Sequence, residues 1–257
     1  MAVDPALPLF AKPIEQGQPW PRPACPTCGS GFVRFDKPAS SESWASASVH
    51  DHEAFEPEWI TGTFVARGEC ENPECRQAVH ATGDYSVNYA KEPWDYSYQA
   101  GPYYSEYYAV ATIHPALAIM PIPAAAPEQV REGIKRASRV LFADPGLAAT
   151  ALRATVERFL TVEGIAAQGA DGKFLSAHAR IQEWSSADPD RPQVADLLFA
   201  VKWLGNAGTH EDSDLTAIEV LDGARVLDEA FHRLFTGPDI EAHARSINSN
   251  KGPVREP

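Results

Sequence analysis

The chain has 257 residues and a formal net charge of −13. That length suits two domains of ordinary size, and the acidic balance excludes a general, charge-driven grip on nucleic acid while leaving room for a small site that accepts an RNA or a nucleotide. No run approaches the roughly 20 apolar residues of a membrane span, and the opening MAVDPALPLFAKPIEQ lacks the basic and apolar regions of a secretory signal. The expected setting is therefore the cytoplasm of a prokaryote, with no membrane partner.

Residues 1–24 are proline-rich and without periodicity, and predict an extended arm. Residues 25–123 predict a small β-rich module carrying all four cysteines. Within it, 37–57 are rich in Ser, Ala and acids and read as a loop, with Asp51, Glu53, Glu56 and Glu58 as a solvated acidic cluster. Trp59–Arg67 and Gln77–Tyr89 read as strands, the second with Val79, Tyr85 and Val87 buried. The stretch from Tyr96 to Pro123 predicts one or two more, its tyrosines (Tyr96, Tyr98, Tyr103, Tyr104, Tyr107, Tyr108) packing a sheet or forming a protein-binding surface.

After Pro127 the period changes to that of helices. Val130, Ile134, Ala137 and Leu141 mark a first helix over Glu128–Phe142. Leu152, Val156, Phe159 and Leu160 mark a second over Leu147–Val162. Phe174–Trp184 is a shorter third, Pro192 opens a fourth, and Asp214–Phe235 is a long last helix. Trp184 and Trp203 read as core residues. Residues 237–257, polar and broken by Gly and Pro, predict a flexible tail. The fold class expected is α+β: a small β zinc-ribbon-like module, then an antiparallel helical bundle over residues 124–236.

Two constellations carry chemistry. Cys25-x2-Cys28 and Cys70-x4-Cys75 are two knuckles, and reduced cytoplasmic cysteines in such pairs favour a metal over disulfides. Four thiolates make a closed tetrahedral set, which suits structural Zn2+ and leaves no open position for catalysis. Gly29 fits the tight turn after Cys28. The second constellation is Lys202, Asn206 and His210, four apart in VKWLGNAGTH, which lie along one helix face displaced by about 40° per step. His suits general acid–base work near neutral pH. Gly205 and Gly208 suggest a bend or a close helix approach. Arg153 and Glu157, four apart on the second helix, either complete this polar site or form a simple ion pair. The basic run Arg131, Lys135, Arg136 and Arg139 is a solvated face or a phosphate contact.

The segments LRATVERFL, LLFAVKWLGNAGTH and a last helix ending in FHRLF resemble a HEPN-like family of domains of unknown function. That family occurs in bacteria near or fused to restriction–modification components, often with an N-terminal pair of cysteine knuckles. The likeness covers about residues 120–236. It implies a homodimer, a restriction–modification or other defence protein as partner, and a role as an interaction or regulatory protein that binds a partner protein or nucleic acid. In the ribonucleases of the HEPN group, an Arg-polar-x3–5-His motif is implied to cleave RNA without metal. Asn206 and His210 match its polar residue and its His, but Gly205 stands where Arg is expected. On the alternative reading, a metal-independent endoribonuclease, His210 is the acid–base group, Asn206 orients the phosphate, and Lys202 or Arg153 supplies positive charge.

Overall fold

The computed structural model describes residues 3–90, 104–209 and 214–250. The architecture is mixed α and β, and the chain divides into two compact units, Asp4–Leu117 and Ala118–Pro257 with Met1–Val3.

The first unit is a curled antiparallel sheet. Its elements are α1 (Leu7–Phe10), β1 (Ile14–Glu15), β2 (Val33–Phe35), β3 (Ala39–Glu42), α2 (Trp44–Ala47), a 3-10 turn at Pro57–Trp59, β4 (Thr61–Cys70), β5 (Ala78–Tyr89) and β6 (Tyr104–His114). The strand order is β1-β6-β5-β4-β2, with β3 also on β4. β2 and β3 share the outer side of β4 end to end, β2 pairing Gly68–Cys70 and β3 pairing Gly62–Val65. The curl brings β3 back towards β6, so that the Ser40 hydroxyl donates to Glu106 at 3.4 Å. Alternate residues of β4 turn inward, Phe64 and Ala66 among them, and Phe10, Trp20, Phe35, Phe64 and Tyr108 meet ring to ring on the concave side.

This corrects two expectations. The segment before Cys25 is not a free arm: Leu7, Phe10 and Ile14 are buried, and β1 pairs Ile14 and Glu15 with Tyr108 and Tyr107. Residues 37–57 are not all loop, because the exposed, serine-rich β3 takes its conformation from the β4 edge rather than from its own side chains. Val79 and Tyr85 are buried and Val87 half-buried. Of the tyrosines, Tyr107 and Tyr108 are buried and Tyr104 stacks on Tyr89, while Tyr96, Tyr98 and Tyr103 lie outside the described residues. Asp51, Glu53 and Glu56 are exposed and Glu58 is half-buried.

The second unit is helical: α3 (Glu128–Val140), α4 (Pro145–Val162), α5 (Ala177–Ser186), α6 (Pro192–Ala207), α7 (Ala217–Phe231), a π-helical turn at His232–Thr236, and α8 (Gly237–Asn250). The expected tail is thus helical as far as Asn250. Local signals fix the helix starts. The Asp144 carboxylate caps α4 by accepting from the Leu147 N–H at 2.8 Å, and Pro145 sits at its first position. Thr216 and Glu219 form a reciprocal capping box on α7. No helix among the described residues is long and apolar enough to cross a membrane.

α4 is the central element, packing on α3, α5, α6 and α7. Leu152, Val156, Phe159 and Leu160 are buried, each large apolar side chain contributing roughly 1.5–3 kcal/mol. Phe159 meets Trp184 of α5 edge-on and Phe231 of α7 at a tilt. α6 runs antiparallel to α4 at very short range. A methyl at Gly205 would stand 2.3 Å from Arg153 Cβ and 3.0 Å from the Ala149 carbonyl, and Gly208 lies against the backbone of Gly146. The two glycines therefore mark a close helix approach. Replacing Gly205 by alanine gains about 1 kcal/mol of helix propensity but forces α6 away from α4, at a cost of about 1–3 kcal/mol or more. Gly205→Ala is expected to lower the thermal midpoint; a rise in melting temperature would contradict the close approach.

Candidate metal centre and polar notch

Both cysteine knuckles lie at one end of the sheet. Ala24 bridges Phe32, closing the 25–31 loop ahead of β2, and the Cys25 N–H donates to the Gly31 carbonyl at 2.7 Å. Gly29 takes φ 65°, the left-handed conformation its position after Cys28 requires. Cys70 ends β4, and Cys75 stands in the turn to β5. Because Cys70 pairs with Val33, the register of β2 on β4 brings the two loops side by side.

The four sulfurs lie within 4.8 Å of one another. Cys25 Sγ is 3.8 Å from Cys75 Sγ, and Cys28 Sγ is 3.7 Å from Cys70 Sγ. These separations are too long for disulfides, and all four cysteines are free. They fit a tetrahedron, since four thiolates around an ion at metal–sulfur distances near 2.3 Å stand about 3.8 Å apart. The surroundings supply hydrogen bonds to two of the sulfurs. The Thr27 N–H points to Cys25 Sγ at 3.5 Å and the Asn72 amide to Cys28 Sγ at 3.9 Å. The Ser30 hydroxyl and the backbone N–H groups of Gly31 and Ser30 hold Cys28 down to about 5, whereas burial pushes Cys70 up to about 12. An ion would relieve the cost of a buried Cys70 thiolate. The cysteines can therefore hold a metal, and no histidine joins them among the described residues. His50 contacts Glu42 instead, and His52 packs near Trp59.

The second constellation lies where α4 and α6 come closest. The Arg153 Nη1 donates to Asn206 Oδ1 at 2.8 Å, and its Nε donates to Glu157 Oε1 at 3.1 Å. Arg153 is thus both the i,i+4 partner of Glu157 and a link across the helix pair. Lys202 is only 7% exposed and has no carboxylate within ion-pair reach among the described residues. Its Nζ lies 3.0 Å from the centroid of the Trp203 ring. Loss of hydration, and then the charge of Arg153, pull its pKa below the ordinary lysine range. Among the described residues, Glu157 is the one carboxylate paired with either cation, through Arg153. His210 lies outside the described residues.

Other expectations fare differently. The basic run on α3 is partly neutralised: Arg131 pairs with Glu128 and Lys135 with Glu132, which makes it largely a solvated ion-pair face. Trp184 is fully buried, as a core residue should be. Trp203 is 58% exposed and is not in the core. The periodicity of α6 contains that result. Val194, Leu198, Val201 and Gly205 define its buried side, and at about 100° per residue position 203 falls off it.

Two family models match the chain. One, described as a domain of unknown function (DUF8608), covers residues 15–110. The other, described as a domain of unknown function (DUF4145), covers residues 135–250. The first range contains all four cysteines and the second contains Arg153, Glu157, Lys202, Asn206 and His210. No curated protein and no solved structure matches the chain.

The sulfur geometry predicts that protein purified without chelator carries a single metal ion per chain by elemental analysis. Cys28→Ser and Cys70→Ser should each deplete it and lower the stability of the sheet unit. Acid should release the ion, because protons compete for the thiolates. Full-length protein with no metal under these conditions would contradict the assignment.

Proposed function

We propose that the chain is an interaction protein with two binding modules. Structural zinc sits at Cys25, Cys28, Cys70 and Cys75, in a zinc-ribbon-like knuckle pair, and a notch in a HEPN-like helical bundle accepts a phosphate group of RNA. Four thiolates with no open position suit Zn2+ and a stabilising role. The observation that carries the second half is the Arg153–Asn206 hydrogen bond beside Lys202. A guanidinium and an amide meet at this helix crossing, and one turn back on α6 lies an ammonium with no carboxylate partner among the described residues. On this reading a phosphate accepts hydrogen bonds from all three groups. The resemblance to the HEPN-like family supports a homodimer working beside a restriction–modification or other bacterial defence protein.

One observation favours a second reading, a metal-independent endoribonuclease. Gly205 occupies the position where the related ribonucleases have arginine, yet Arg153 reaches Asn206 from the neighbouring helix. On this reading Arg153 supplies the guanidinium that stabilises transition-state charge, and His210 is the acid–base group.

Single-stranded RNA titrated by fluorescence anisotropy tests the binding reading. Arg153→Gln and Lys202→Gln should each weaken binding by about tenfold, and each should reduce the salt slope by about 0.7. Affinity and slope unchanged in both variants would exclude the notch as the RNA site. Incubation of RNA with protein in EDTA separates the second reading. Binding alone leaves the RNA intact, whereas cleavage abolished in a folded His210→Ala variant identifies the ribonuclease.

A further inference from the structure

α6 carries an aromatic group that neither module explains. Its buried side is Val194, Ala195, Leu198, Val201, Lys202 and Gly205, while Trp203 stands 58% exposed next to Lys202. The indole is not loose. The Lys202 ammonium lies 3.0 Å from the ring centroid, and His178 of α5 lies 6.4 Å away at a 51° tilt, itself packed on Phe199 one turn back along α6. The cation lies over one face of the ring, and the residue as a whole remains more than half exposed. Trp184 shows the contrasting case: Arg191 lies over its ring at 4.7 Å, but the indole is fully buried and both faces are used by the core.

We propose that the open face of Trp203 is a stacking platform for one unpaired base of single-stranded RNA. This rests on the phosphate reading of the notch and names what would lie beside that phosphate. An indole held from behind by an ammonium is fixed in orientation and polarised towards a second π-system, so a base stacking on it completes a cation–indole–base sandwich. Every base has a π-face, so the contact tolerates any sequence. Charge selects a nucleotide over an apolar side chain of a protein partner. The platform adjoins Lys202 and, through it, Arg153, the cations a neighbouring phosphate requires. Lys202 serves both parts, bracing the indole and adding to the field at the phosphate.

The test compares two ligands that differ only in their bases: a hexamer of adenylate and a hexamer of abasic ribose phosphate, each titrated into the full-length protein by anisotropy. Wild type should bind the adenylate hexamer about tenfold more tightly or better. Trp203→Ala should remove most of that preference without changing affinity for the abasic hexamer, and Trp203→Phe should keep most of it. Should Trp203→Ala fold poorly, Trp203→Leu against Trp203→Phe decides the same point, since both are apolar and only one is aromatic. Equal binding of the two hexamers by wild type, or an unchanged preference in Trp203→Ala and Trp203→Leu, overturns the platform. If Arg153→Gln then still weakens both hexamers, the phosphate notch stands without it. Failure of wild type to bind either hexamer overturns both.

Discussion

The helical unit depends on how closely α6 approaches α4. Gly205 removes the side chain that would hold the helices apart, and the backbones of Gly146 and Gly208 touch nearby. At that spacing Arg153 reaches across to Asn206, and the stem of Lys202 is buried between turns. Without the close approach, Arg153 and Glu157 would be an ordinary surface pair worth a few tenths of a kcal/mol. With it, a guanidinium, an amide and an ammonium share one crossing. The Arg153–Asn206 link is therefore a consequence of backbone packing.

The sheet unit has a constraint of the same kind. The register of β2 on β4 sets Val33 opposite Cys70, and this pairing brings two chelating loops to one point. Within the cluster, hydrogen bonds hold Cys28 down and burial pushes Cys70 up. A metal ion answers both demands at once. The role this geometry supports is to staple the end of a small sheet, whose remaining core is a set of aromatic rings on its concave side.

Much of this was legible in the sequence, for physical reasons that can be named. Paired cysteines at chelating spacing predict a cluster because few other arrangements satisfy buried thiols. Val130, Ile134, Ala137 and Leu141, or Leu152, Val156 and Phe159, predict helices because a 3.6-residue period leaves few alternatives. What escaped were elements whose stability is not their own. α1 and β1 exist because Leu7, Phe10 and Ile14 find the sheet. β3 exists because β4 offers an edge, although ASSE carries no strand signal of its own. The sequence offered Arg153 as either a surface pair or a member of the polar site, and a contact spanning 53 positions shows that it joins Asn206 while keeping its pair with Glu157. Trp203 was misjudged because tryptophan as a type favours the interior. Its place in the helical period, weighed against Leu198, Val201 and Gly205, pointed outward.

Arg153, Lys202 and Asn206 are proposed here as one anion-binding notch. The most direct measurement is side-chain NMR of labelled protein during titration with single-stranded RNA, following the Arg153 Nε, the Lys202 Nζ and the Asn206 amide. If phosphate binds in the notch, these three signals shift together, saturate at one RNA concentration, and do so ahead of the exposed arginines of α3. Saturable RNA binding that moves the α3 arginines and leaves the three notch signals unchanged would contradict it.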